Sequence, residues 1–195
     1  MAEPANLFCL RNMSSPYVAM NTDGRDIGRK LSAALAVRIS HILPQGIVAK
    51  DEKGTIYVSD GTWHSGTDLA EVLGSSGPSL PDPEVIPRGI SLSKDMPTPA
   101  EAENRPARTF SDAAELREDI ASAATNALSA VQDFVTEKLT LPWPSHGDAA
   151  SRSAFAEPNA EWFGDVLRLW FGEKSQPVLE LQPIEATELN ESLRS

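Results

Sequence analysis

The chain has very little of what most catalytic or membrane proteins depend on. Of its 195 residues only one, Cys9, is a cysteine, so no internal disulfide can form and a reducing compartment fits. Its three histidines, His41, His64 and His146, lie far apart, and one cysteine adds little to them, so no metal site is expected. Leu7-Phe-Cys9 lacks the basic segment and the apolar run of about seven residues that a cleaved leader needs. No stretch approaches the roughly 18 uninterrupted apolar residues of a membrane span. The expected location is cytoplasmic. Positive charge is also scarce. Seventeen Lys and Arg face 28 Asp and Glu, a net charge of −11. Residues 1–73 account for −1 of this and residues 74–195 for −10. Such a chain repels phosphate backbones and anionic lipid, so neither nucleic acid nor membrane is an expected partner. The acidity serves solubility, or it suits a basic protein partner.

The densest apolar patch lies near the C-terminus, from Glu161 to Ile184. Leu167, Leu169 and Phe171 alternate with Arg168 and Trp170, and Leu179 and Leu181 alternate with Glu180 and Gln182. Two period-two runs around a Gly-led, Pro-ended loop predict a hairpin. A first short strand, Ala160 to Phe163, is expected to turn back at Gly164-Asp165 into Val166 to Phe171. A sheet with one apolar face needs cover.

Two amphipathic helices supply it. From Thr22 or Asp23, either able to cap, Ile27, Leu31, Ala34, Leu35, Arg38 and Ile42 keep helical spacing until Pro44 and Gly46 stop it. A second, longer helix is expected from a Ser111 cap to about Leu139, before Leu141-Pro-Trp-Pro144. Its stripe is Leu116, Ile120, Ala124, Ala127, Val131, Phe134 and Val135. Between them, residues 46–60 predict a hairpin around Asp51-Glu-Lys-Gly54, with Gly54 in the left-handed position of a type I turn plus bulge. Thr67 to Leu73 reads as a short helix capped by Ser65 or Thr67.

The expected organisation is a loose arm over 1–19, a helix-hairpin-helix half over 20–73 and a linker over 74–109 that holds seven of the 15 prolines. A helix plus β-meander follows over 110–186, then a disordered tail over 187–195. Met13 and Met20 are alternative starts beside Met1, with the organised pattern beginning just after Met20. The fold class is α+β: two amphipathic helices on one face of an antiparallel sheet of four or five strands. Both halves run helix, proline stop, hairpin, which suggests a pseudo-repeat whose halves are each too small to bury much core alone.

Several stretches carry a resemblance: Val58-Ser-Asp60, Gly66-Thr-Asp-Leu-Ala70, Ala127-Leu-Ser-Ala-Val-Gln-Asp133, Pro142-Trp-Pro144, Leu167-Arg-Leu-Trp-Phe-Gly172 and Pro177-Val-Leu-Glu-Leu-Gln-Pro-Ile184. On these, over about half its length, the chain resembles small uncharacterised proteins of high-GC Gram-positive bacteria. The resemblance implies a cytoplasmic two-part α+β protein and contributes no catalytic residue.

No motif brings together a reaction centre. His64, Ser65 and Asp68 are too close in sequence for a triad and read as a turn and a helix cap. Asp23-Gly-Arg-Asp-Ile-Gly28 follows no strand and lacks the Lys-Ser/Thr of a phosphate loop, leaving Arg25 and Arg29 as possible anion contacts. Paired acids such as Glu101/Glu103 and Glu118/Asp119 read as solvated charge. The aromatic residues are more informative. Trp143, between two prolines, is expected to plug the helix-to-sheet transition, and Trp170 to stand on the wet face of the sheet, with Trp162 or Val178 beside it. No catalytic, cofactor-binding or metal-binding residue is assigned. The expected function is a non-catalytic interaction module, an adaptor, chaperone-like or regulatory protein. It binds another protein, or a second copy of itself, through Arg168, Trp170, Val178 and Glu180. The rival reading is a small enzyme or ligand-binding protein with a pocket near Trp63-His64 and Arg25.

Overall fold

Asp23 starts the first helix. Its backbone is extended, and its carboxylate accepts a hydrogen bond from the Arg25 N–H at 2.8 Å, the work of an N-cap. Helix α1 (Gly24–Ser40) then turns Ile27, Leu31, Leu35 and Ile39 fully inward. A computed structural model describes residues 22–62, 64–75, 108–110, 112–145 and 156–194 of the chain. The 1–19 arm, most of the 74–109 linker, Trp63, Ser111 and residues 146–155 lie outside the described residues.

Strands β2 (Val48–Glu52) and β3 (Thr55–Ser59) form the first hairpin. Glu52 pairs with Thr55, so the loop is the two residues Lys53 and Gly54, and both have positive φ (57° and 100°). That is the arrangement of a type I′ turn, in place of the expected type I turn plus bulge, and its twist matches the flanking strands. A third strand, β4 (His64–Asp68), pairs with β3 where the sequence suggested a turn and a helix start. The short helix α2 therefore runs Leu69–Gly74, and Asp68 caps it by accepting from the Glu71 N–H at 2.9 Å. Two-residue strands β1 (Thr22–Asp23) and β5 (Thr109–Phe110) pair with each other, placing Phe110 in the core.

Helix α3 (Ala113–Leu139) begins at Asp112, whose carboxylate accepts from the Ala114 N–H, and ends at Thr140, in a left-handed conformation. All seven residues of its expected stripe are buried. Beyond it run β6 (Pro158–Phe163), β7 (Val166–Glu173) and β8 (Gln176–Glu180), antiparallel in that order, with β9 (Ile184–Glu185) also paired to β7. The chain then forms helix α4 (Ala186–Leu189) and a 3-10 turn (Glu191–Leu193).

The α+β class stands, with four helices and antiparallel sheets among the described residues. The strands fall into three separate sheets, β1-β5, β2-β3-β4 and β6-β7-β8 with β9, where one joined sheet was expected. Each larger sheet pairs strands that are close in sequence, and two-residue turns set the register of β2-β3, β6-β7 and β7-β8. The halves meet through apolar side chains instead. Ile27, Leu31 and Leu35 of α1, Ile56 and Val58 of β3, Leu116 to Val135 of α3 and Leu167, Leu169 and Phe171 of β7 belong to one continuous core.

Residues 187–193 are ordered, contrary to the expected tail. Leu189 and Leu193 are fully buried, and Glu185 and Glu188 form a capping box that starts α4. Arg38 of α1 fastens this segment. Its guanidinium, 8% exposed, donates to the carbonyls of Gln182 and Pro183 at 2.7–3.0 Å, to Ala34 O, and to the Glu188 carboxylate.

Candidate functional site

The sheet β6-β7-β8 has two unlike faces. Its inner face carries Leu167, Leu169 and Phe171, all fully buried, with the edge of the Trp143 ring packed on Phe171 at 5.5 Å. Helix α3 lies against β6 on this side. Trp162 belongs here and not beside Trp170: its indole N–H donates to Arg117 O of α3 at 2.9 Å, and the Arg117 guanidinium stacks 4.9 Å from its ring. Arg117 also donates to Gly164 O, the Asp165 carboxylate and Leu193 O, so the β6-β7 turn is bolted to α3 and to the C-terminal segment.

Cross-strand partners share a face. The pairs Phe163/Val166, Glu161/Arg168, Asn159/Trp170 and Trp170/Glu180 therefore define the outer face, over which no described helix packs. Arg168 pairs with Glu180 at 2.6 Å and Lys174 with Glu161 at 2.6 Å. Both cations sit near the Phe163 ring, Arg168 at 5.1 Å and Lys174 at 4.6 Å. Phe163 is itself 37% exposed.

The position of Trp170 differs from the expectation of an exposed ring. It is 5% exposed, it faces Asn159 and Glu180 across the sheet, and its Nε1–H donates to Gly172 O at 3.1 Å. The register shifts between Phe171 and Gly172, a bulge that re-aims the strand there, and Val178 packs over Gly172. Trp170 thus forms part of the wall of an open cleft of about 620 Å3 rather than a protruding contact. Glu157, Glu161 and Glu173 also line it, against one cation, Lys174. Among the described residues the Glu157 and Glu173 carboxylates have no ionic partner. The sequence singled out Arg168, Trp170, Val178 and Glu180. It missed Phe163, Glu157 and Glu173, although Phe163 could have been found as the apolar residue just before the Gly164-Asp165 turn.

Arg168 and Glu180 are each about two-fifths exposed, so water screens their attraction. Arg168→Ala is expected to change stability by less than about 1 kcal/mol, read from chemical denaturation. A larger loss would mean that this pair holds the sheet together.

Of the rival site, Trp63 lies outside the described residues, and Arg25 and His64 stand on different elements. Arg25 packs on Gly74 at the end of α2, one turn before Arg29, which touches Gly54 at the tip of the first hairpin. His64 pairs with Ser59 at the other end of that sheet. Along β4, His64 and Asp68 point to one side and Ser65 to the other. Among the described residues no three His, Cys, Asp or Glu side chains cluster as metal ligands, and no helix is long and apolar enough to cross a membrane.

No family model, curated protein or solved structure matches the chain.

Proposed function

We propose that the protein is a non-catalytic interaction module, an adaptor or regulatory protein that binds another protein through the outer face of its C-terminal sheet. The observation that carries this reading is the contrast between the two faces of β6-β7-β8. One is buried on α3. The other presents the half-exposed Phe163, two ion pairs and the cleft walled by Trp170, with no described helix above them. Arg168, Trp170, Val178 and Glu180 remain the assigned contact residues, now joined by Phe163, whose ring lies beside Arg168. Charged side chains held around an apolar centre form the pattern of a docking surface with a polar rim.

The experiment is affinity capture from the native host with chemical cross-linking. It compares wild type with Phe163→Asp on this face and Val37→Asp on an exposed position of α1. A partner retained by Val37→Asp, lost by Phe163→Asp and cross-linked to β6-β8 is the expected result. If both variants retain every captured protein, the outer face is not the interface.

A further inference from the structure

Strand β6 pairs only with β7, so its other edge is unpartnered among the described residues. The phase of its ladder is known. Phe163 and Val166 close a two-residue turn, and the Gly172 N–H donates to Glu157 O at 2.7 Å. Glu157, Asn159, Glu161 and Phe163 therefore direct their main-chain groups at β7. Ala160 and Trp162 direct theirs at the open edge, and Pro158 adds a carbonyl but no N–H. An unpaired edge of this kind is a template for another strand.

The side chains along that edge differ by face. On the inner face are Ala160 and Trp162, which are apolar and half-buried against α3. On the outer face are Asn159, Glu161 and Phe163, next to a cleft with three carboxylates and a single lysine. Resting on the outer-face reading above, we propose that the partner contributes an extended segment that adds to the β6 edge, with Lys or Arg at alternate positions facing Glu157, Glu161 and Glu173. Two features favour this occupant. The added strand would meet an acid and an aromatic ring on its outer side, and an Arg or Lys suits both, as Lys174 and Arg168 already show at Phe163. Its other side would meet Ala160 and Trp162, which suit apolar residues. Main-chain pairing supplies affinity in such additions, and the alternate side chains supply selectivity. The chain's net charge of −11 draws the same segment in at long range.

The test uses the full chain and a fluorescein-labelled, end-capped peptide of alternating Lys and Val. Its controls are an alternating Glu and Val peptide and a Lys-Val peptide N-methylated at alternate amides. Fluorescence anisotropy should show binding of the Lys-Val peptide alone, weakening as salt rises. The double variant Glu157→Gln/Glu173→Gln should bind on the order of fivefold more weakly. Ala160→Pro, which removes one edge N–H and no ladder bond, should abolish binding while its far-UV circular dichroism and melting temperature stay near wild type. In amide NMR spectra the Ala160 and Trp162 signals should shift on titration. Equal binding of the Glu-Val peptide, no loss on N-methylation, or no binding of the Lys-Val peptide would each overturn the proposal. Self-association in sedimentation velocity that Ala160→Pro abolishes would overturn it as well, by assigning the edge to a second copy. A captured partner that needs Phe163 but ignores Ala160→Pro and the double Gln variant would leave the interaction module standing and remove strand addition.

Discussion

Arg38→Met is expected to destabilise the protein by about 3–5 kcal/mol, the cost of leaving the partners of a buried charge without it. The guanidinium is 8% exposed and serves four separate acceptors, the carbonyls of Ala34, Gln182 and Pro183 and the carboxylate of Glu188. Methionine fills much of the volume but donates nothing, so the Gln182 and Pro183 carbonyls lose their partner in a largely dry site. The companion variant separates the contributions. Glu188 is 39% exposed at its side chain, so Glu188→Gln should cost less than about 1 kcal/mol. Urea denaturation gives both values. Hydrogen exchange should show faster opening of the Ala186–Leu189 helix in Arg38→Met before the rest of the chain opens. If Arg38→Met and Glu188→Gln cost the same small amount, the carbonyl contacts do not hold the segment.

The second large effect concerns Gly28. Helices α1 and α2 cross so closely that a Cβ at Gly28 would lie 2.6 Å from the Ala70 Cα and nearer still to the Leu69 carbonyl oxygen. Gly24 repeats the contact one turn earlier, with a Cβ falling 2.9 Å from the Leu73 carbonyl carbon. Backbone cannot move aside as a flexible side chain can. Glycine also costs a helix about 1 kcal/mol relative to alanine, so propensity alone favours the substitution. Overpacking works the other way and should win. Gly28→Ala is expected to lose about 1–3 kcal/mol net, and Gly28→Val more, with α2 displaced. Thermal unfolding tests the sign: a melting temperature raised by Gly28→Ala would show that the crossing has slack.

The elements legible from sequence are those whose apolar period is strong. Ile27 to Ile39 and Leu116 to Val135 repeat at helical spacing, and Leu167, Leu169 and Phe171 alternate; all of these are buried as the pattern requires. Strand β4 was not legible because His64-Ser-Gly-Thr-Asp68 has no apolar side chain to alternate. Its position comes from pairing with β3, and Gly66 leaves room for the Tyr57 ring, information that no local window contains. The C-terminal segment misled for a related reason. The expected tail, 187–195, looks polar, yet its Leu189 and Leu193 face inward, in a segment fastened by Arg38 some 145 residues earlier. In the candidate site, alternation placed Arg168, Trp170 and Glu180 on the correct face. It could not reveal that Trp170 would be buried beside a register shift, or that Glu157 and Glu173 would line the same cleft.

The Arg38 clamp also has a consequence in time. Its carbonyl partners at Gln182 and Pro183 are synthesised 144 and 145 residues after it, and Thr22 is within hydrogen-bonding distance of Ser192, 170 residues on. Contacts this distant in sequence must close long loops, and they form late. A nascent chain therefore carries α1 with its guanidinium matched only to Ala34 O until the segment from Gln182 to Glu188 has emerged. The first half matures only when the second half arrives to hold it.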